Sequence, residues 1–302
     1  MSLLVVGSVA FDSVKTPSGS VEDVLGGSAT YFSIAASYFT GVRLVAVVGD
    51  DFPEVHMQFL RERGIGLEGL ERQSGRTFRW RGEYGQQLNE AKTLETQLNV
   101  FQSFRPKLPS AYLNSPFVFL ANIDPELQLD VLRQVNRPQW VACDTMNFWI
   151  EGKREALLKT LGEVDALMIN EGEARVLAQE ENIVSVARKI IRFGPKTLII
   201  KRGEYGAAMF TEKTVFAVPA YPVEKVVDPT GAGDSFAGGF MGCLSQKGIV
   251  NDTTLRQAVI YGSVMASFDV EAFSLDRMRH LTQEVILRRY REFREMTFFE
   301  EY

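Results

Sequence analysis

The sequence predicts an α/β fold: a central, mainly parallel sheet covered by helices on both faces, with a small β lid set apart from it. Three observations lead there. Short apolar runs alternate with helical patterns through most of the chain, one stretch between residues 74 and 102 alternates with period two instead, and a glycine-rich turn runs directly into an apolar helix beyond residue 228. Strand–helix alternation implies parallel strands joined by crossovers, which need helices on both faces.

The elements follow in order. Residues 3–6 form a short apolar run closed by Gly7, and residues 44–48 repeat it, closed by Gly49-Asp50-Asp51. Such runs mark strands buried on both faces. Further strand candidates are 117–121, 140–143, 166–169 and 197–200; helical patterns occupy 29–39, 53–63, 126–135, 153–161, 171–179 and 183–193. From about Ser235 the chain reads as mostly helical. In residues 75–84, Phe78, Trp80 and Tyr84 face one way and Thr77, Arg79, Arg81 and Glu83 the other; residues 93–101 alternate again, with Leu94, Thr96, Leu98 and Val100 on one face. These segments read as antiparallel strands, either covering a core edge or closing over an active site. The whole chain, 1–302, reads as one domain with lid segments at about 13–25 and 74–102.

Composition bounds the function. With 302 residues, 45% hydrophobic and 24% charged, the chain has the balance of a folded globular protein. A net charge of -5 argues against nucleic acid as a main partner, since phosphate backbones select basic surfaces. Cys143 and Cys243 are the only cysteines, too few for a disulfide framework, so a reducing cytoplasm is expected. His56 and His280 are the only histidines, which leaves little material for a zinc site or a Ser-His-Asp triad; both read as ordinary helix-surface residues. The opening residues show no basic leader, and no stretch approaches the ~18 apolar residues of a membrane span. The cluster Arg288, Arg289, Arg291 and Arg294 is interleaved with Glu284, Glu292 and Glu295 and reads as a solvated helix face.

Chemistry concentrates in Asp228-Pro229-Thr230-Gly231-Ala232-Gly233-Asp234-Ser235-Phe236-Ala237-Gly238-Gly239-Phe240. Gly231 and Gly233 let backbone approach a ligand closely. A helix starting near Asp234 turns unpaired N–H groups and a positive dipole end toward the turn, which suits a transferring phosphoryl group. An aspartate there can accept a proton from an attacking hydroxyl. Taken alone, Asp234 could equally be a helix cap behind loop glycines. The string is neither a Walker A loop nor a G-x-G-x-x-G fingerprint, because Phe236 stands where the third glycine would be.

The full string resembles the C-terminal signature of the ribokinase-like, or PfkB, family of sugar kinases, and the resemblance extends through most of the chain. It implies a three-layer ribokinase-like sandwich, with Asp234 as general base and Gly231, Ala232 and Gly233 as the anion hole. Gly7 with Asp12 is similar to the family's first strand and sugar-binding aspartate, and Gly26-Gly27 to its paired glycines against the substrate. Gly49-Asp50-Asp51 is similar to its V-G-D-D segment. Asn170-Glu171-Gly172-Glu173 fits N-x-x-E, the element that organises Mg²⁺ waters. Lys201-Arg202-Gly203 with Gly206 looks like the K-x-G-x-x-G strand end beside the nucleotide. The resemblance thus implies ATP and Mg²⁺ as cofactors, with Asn170, Lys201, Gly203, Gly206 and Thr230 at the nucleotide, Glu173 at the metal through water, and Asp228 at a monovalent cation such as K⁺. Asp12, Gly26, Gly27, Tyr31, Trp80 and Asn147 fall to the substrate.

Three departures from the family pattern stand out. Tyr31 occupies a position where the family usually has Asn; Asn147 comes one place late in Asp144-Thr145-Met146-Asn147; and Asp269-Val270-Glu271-Ala272-Phe273-Ser274 replaces a stretch with a small residue near the cation. They leave the phosphoryl chemistry intact and bear on the acceptor and on cation activation. The expected reaction is in-line transfer from ATP to the hydroxymethyl group of a sugar, with a nucleoside as the alternative acceptor. Tyr31, Trp80, Phe148 and Trp149 would stack on a base or merely pack. A non-catalytic regulatory protein on the same fold is the rival from another class. The expected partners are small molecules, neither nucleic acid nor membrane, with a homodimer through the lid.

Overall fold

The computed structural model describes residues 2–89, 91–298 and 300. The first half runs β1 (Ser2–Val6), β2 (Ala10–Thr16), β3 (Gly19–Gly26), α1 (Ser28–Ser37), β4 (Gly41–Val48), α2 (Glu54–Glu62), β5 (Ile65–Arg72), β6 (Phe78–Tyr84), β7 (Ala91–Gln97) and β8 (Phe117–Leu120). It continues through α3 (Pro125–Gln134), β9 (Trp140–Asp144), α4 (Asn147–Gly152), α5 (Arg154–Leu161), β10 (Ala166–Asn170), α6 (Glu171–Ala178), α7 (Ile183–Ile191) and β11 (Thr197–Lys201). The edge hairpin β12 (Ala207–Thr211) and β13 (Val215–Val218) precedes α8 (Ala232–Lys247), α9 (Asp252–Asp269), α10 (Asp276–Arg279) and α11 (Gln283–Thr297).

The large sheet has the order β13-β12-β11-β10-β9-β8-β1-β4-β5. Its strands from β11 to β5 pair in parallel, and at the other edge β11–β12 and β12–β13 pair antiparallel. The apolar runs are buried on both faces, as parallel sheets require. In β1, Leu3 and Val5 join the core under α1, α8 and α9, whereas Leu4 and Val6 join a second core under α3, α5, α6 and α7. Every side chain of that short run is spoken for, which is why it contains no polar residue.

The second sheet has the order β3-β2-β6-β7, with β2 and β6 parallel and the outer pairs antiparallel. It grows out of the first: β2 follows β1 after three residues, and β3 leads into α1. One expectation needs correction here. The second period-two segment is a strand only to Gln97; residues 99–103 wind into a 3₁₀ turn. Asn99 enters it at φ 50°, a conformation asparagine tolerates, and its amide donates to the Thr77 carbonyl at 2.9 Å. Val100 is thereby buried and Phe101 stacks on Phe78 at 5.4 Å, so the alternation reflects packing rather than a ladder.

Gly49-Asp50-Asp51 anchors the second sheet. Asp51 accepts from the Thr77 N–H at 2.7 Å, from its hydroxyl at 2.6 Å, and from Arg79 at 3.0 Å. His56 is not a plain surface residue: it is half-buried against Phe11 and Phe52. Cys143 and Cys243 are buried free thiols. Among the described residues no helix is long and apolar enough to cross a membrane.

Candidate active site

The carboxyl ends of β9, β10 and β11 meet the N-terminus of α8, the place where open α/β sheets bind ligands. Gly231 caps α8 at φ 84°, and a Cβ there would fall 2.3 Å from the Tyr31 ring, so only glycine makes this turn. Asp234 sits in the first turn of α8, half-buried with an edge open to the cleft. Burial, and then the Asp144 charge, push its carboxyl well above the usual carboxylate range, against the pull of Lys201. A carboxylate of raised basicity beside a row of helix N–H groups is suited to take a proton while an anion is bound next to it.

Opposite lies Asp12 on β2, 4% exposed, accepting from the Gly27 N–H at 3.3 Å. A Cβ on Gly26 would come within 1.9 Å of the Asp12 carboxylate, so the paired glycines exist to admit that side chain. Burial pushes Asp12 up to about 7, with the Gly27 N–H opposing and Asp228 adding a little. Trp80 pairs with Asp12 across the β2–β6 ladder and therefore shares its face. Its indole donates to the Thr93 hydroxyl at 3.2 Å, and its ring spreads over Gly82. Tyr84, further along that face, meets the Thr230 hydroxyl at 3.2 Å, beside the glycine turn.

On the third side, Asn170 and Glu173 form a reciprocal cap on α6: the Glu173 N–H donates to the Asn170 side chain at 2.8 Å and the Asn170 N–H to Glu173 at 3.1 Å. Burial, followed by Asp144, raises Glu173 to about 7. Lys201 ends β11, and its ammonium donates to Asp144 at 2.9 Å. Burial works against that ammonium, but the charges of Asp144 and Glu173 outweigh it and hold Lys201 above its ordinary value. Gly203 and Gly206 turn the chain at φ 55° and 88°, and the Asn89 side chain at the tip of the β6–β7 hairpin lies against Gly203.

Two of the expected substrate residues lie apart from the face that Asp12 and Trp80 share. Tyr31 is 1% exposed and lies beneath Gly231, so it supports the turn from behind rather than facing the cleft. Its hydroxyl has no hydrogen-bond partner among the described residues. Asn147 is exposed at the start of α4, and Phe148 beside it is 65% exposed, edge-on to Trp149. Neither shares a hydrogen bond with Asp12. Asp228 is buried, with one oxygen accepting from the Thr230 N–H at 2.9 Å and the other from the Ser274 N–H at 3.4 Å. The Val270 carbonyl beside it accepts from the Val227 N–H at 2.7 Å.

Residues that sequence reasoning passed over are Asp144, Tyr84, Asn89 and Asp269. Asp144 stood in plain view at the end of an apolar run, but nothing local pairs it with Lys201, 57 positions away. Asp269, at the end of α9, accepts from the Ser235 hydroxyl at 3.1 Å; burial, then Asp228, push it well above the usual range, and its second oxygen has no partner among the described residues.

Comparison with known proteins agrees with this layout. Residues 2–279 match the pattern of the pfkB family carbohydrate kinases. The chain is 29% identical over 248 residues to the cytidine kinase of Thermococcus kodakarensis, an overlap covering 80% of this chain and 87% of that one. In structure it is similar to the nucleoside kinase of Methanocaldococcus jannaschii (TM-score 0.77, 21% identity, 96% of this chain and 98% of that one). It is likewise similar to the ribokinase of Thermotoga maritima (TM-score 0.74, 21% identity, 96% and 99%).

Proposed function

The chain belongs to the pfkB family of carbohydrate kinases, and on that premise we propose that it transfers the γ-phosphoryl group of ATP to the hydroxymethyl group of a nucleoside's ribose. The observation that carries the reading is the nearness of Asp234, a basic carboxylate at the start of α8, to Asp12, a buried carboxylate admitted by Gly26 and Gly27 whose charge reaches Asp234. Asp12 orients the acceptor through its hydroxyls. The acceptor oxygen attacks the γ-phosphorus in line, its proton passes to Asp234, and the bond from γ-phosphorus to the bridging oxygen breaks with its electron pair leaving on ADP. The turn Gly231-Ala232-Gly233 receives the charge on the transferring group.

Among the described residues no three His, Cys, Asp or Glu side chains could hold a metal together. Mg²⁺ therefore fits here as an ion held mostly by phosphates and waters, with Glu173 as the protein's contribution; its raised proton affinity marks a carboxylate that a nearby cation would stabilise. Bound there, it supplies charge neutralisation on the phosphates. No step is assigned to K⁺.

The second sheet serves as the lid in this reading. Tyr84 on Thr230 and Asn89 on Gly203 carry it from the acceptor to the nucleotide, which would keep water from competing for the phosphoryl group. The aromatic surface of Trp80 on the Asp12 face favours a nucleoside, as does the similarity to a cytidine kinase. A simple sugar is the second reading, favoured by the family at large. Screening ATP consumption over nucleosides, pentoses, hexoses and their phosphates decides between them. Turnover with hexoses alone would overturn the nucleoside, and absence of ATP turnover with every acceptor would overturn the kinase reading.

A further inference from the structure

We propose that Lys201 is a catalytic residue, its ammonium fixed by Asp144 so that it meets the transferring phosphoryl group at the glycine turn. This rests on the kinase reading above and goes further, since a lysine at a strand end beside the nucleotide need only neutralise bound phosphates.

Three observations carry it. Lys201 crosses from the end of β11 to the start of α8: a Cβ built on Gly233 would lie 3.0 Å from its Nζ and 3.6 and 3.7 Å from the two methylenes before it. The ammonium thus lies alongside one of the glycines that would cradle the phosphoryl group, and that glycine's missing side chain leaves it room. Second, the ammonium has three N–H bonds and spends one, on Asp144 at 2.9 Å. The pair is well shielded, the Lys201 side chain being 17% exposed and that of Asp144 7%. Third, Lys201 is the cation that bears most on Asp234 among the described residues, while Asp144, Glu173 and Asp12 all bear on that carboxylate with the opposite sign to Lys201. One ammonium cannot neutralise that set. Lys201 and the helix N–H groups are the positive side of the site that an incoming phosphoryl group meets.

The chemistry follows from placement. A buried, strongly held ammonium cannot swing with its four-carbon stem as a surface lysine does. Asp144 removes that freedom, so Asp144 is a positioning residue. A fixed positive charge in a partly dry site acts where negative charge accumulates, on the equatorial oxygens of the group in flight.

The test separates the transition state from the ground state. Lys201→Met should lower kcat by ~10²–10³-fold, the range for losing one preorganised donor at a developing anion, while KM for ATP changes by less than about threefold. Binding gives a readout independent of turnover. The wild type should bind ADP with aluminium fluoride, a planar phosphoryl mimic, more tightly than the non-hydrolysable analogue AMP-PNP, and Lys201→Met should erase that preference while retaining AMP-PNP. Lys201→Arg should recover part of both, since it keeps the charge. Met leaves Asp144 buried without its cation, so the variant could fail to fold; Asp144→Asn with Lys201→Met removes that charge and should fold yet stay as slow as the single variant. Wild-type kcat in either variant, or equal loss of AMP-PNP and aluminium fluoride binding, would reduce Lys201 to a structural ion pair or a simple phosphate contact. If the wild type phosphorylates no acceptor, the kinase reading fails on its own, and the binding comparison still stands.

Discussion

Asp12→Asn should stabilise the protein and disable it, and the gain should depend on pH. Asp12 is 4% exposed, and burial raises its carboxyl from 3.8 to about 7. Below pH 3.8 the residue is protonated in both folded and unfolded chains and contributes nothing. Between 3.8 and about 7 the unfolded chain ionises while the folded one resists, so native stability falls as pH rises. Above about 7 the loss is complete. Three pKa units correspond to a ceiling of ~4 kcal/mol, and relaxation around the ion makes ~2 kcal/mol the working expectation. Asparagine keeps the volume, and its carbonyl oxygen can still accept the Gly27 N–H, so the substitution removes the charge and little else. Urea unfolding of the ligand-free protein at pH 4, 6 and 8 gives the difference between variant and wild type at each. Glu173, raised by burial and by Asp144, affects both proteins alike and cancels in that difference, whereas Asp234, relieved of the Asp12 charge in the variant, shifts in the same direction and adds to the gain. The variant should match the wild type at pH 4 and exceed it at pH 8, with acceptor affinity lost throughout. A variant less stable than wild type at pH 8, or one whose gain is the same at every pH, refutes the account of a buried, penalised carboxylate.

Three further outcomes follow from the site. Asp234→Asn should lower kcat by ~10²–10⁴-fold with little change in substrate binding, measured by steady-state kinetics; near-normal turnover would return Asp234 to a helix-capping role. Glu173→Gln keeps the reciprocal cap on α6 and removes a charge that burial penalises, so the melting temperature at pH 8 should hold or rise while the Mg²⁺ concentration for half-maximal rate rises; an unchanged Mg²⁺ titration removes Glu173 from the metal. With Trp140 and Trp149 replaced by Phe, Trp80 fluorescence should shift on adding acceptor but not ATP alone. Trp80→Ala should weaken acceptor binding by ~1–3 kcal/mol if a base stacks there and should raise ATP hydrolysis without acceptor. If neither changes, the second sheet is no lid.

Much of this protein was written locally. Parallel strands buried on both faces need unbroken apolar runs, so β1, β4, β8, β9, β10 and β11 can be read from composition alone. The glycine turn into α8 is equally legible, because its geometry depends on residues adjacent in the chain. Strands β2 and β3 were foreseen only as a lid segment at about 13–25, and β5, half solvated and interrupted by glycine, went unread. Position in sequence says nothing of how Tyr31 packs: motif spacing puts it near the substrate, and the helix packing places its ring beneath Gly231. The electrostatics of the site belong to the tertiary structure. Asp12, Asp144, Glu173, Lys201 and Asp234 come from five separate elements, and each proton affinity depends on burial and on charges brought near by the fold. A sequence can name those ionisable groups, but Coulomb interaction and desolvation depend on distances and on exclusion of water, which exist only once β9, β10, β11 and α8 converge.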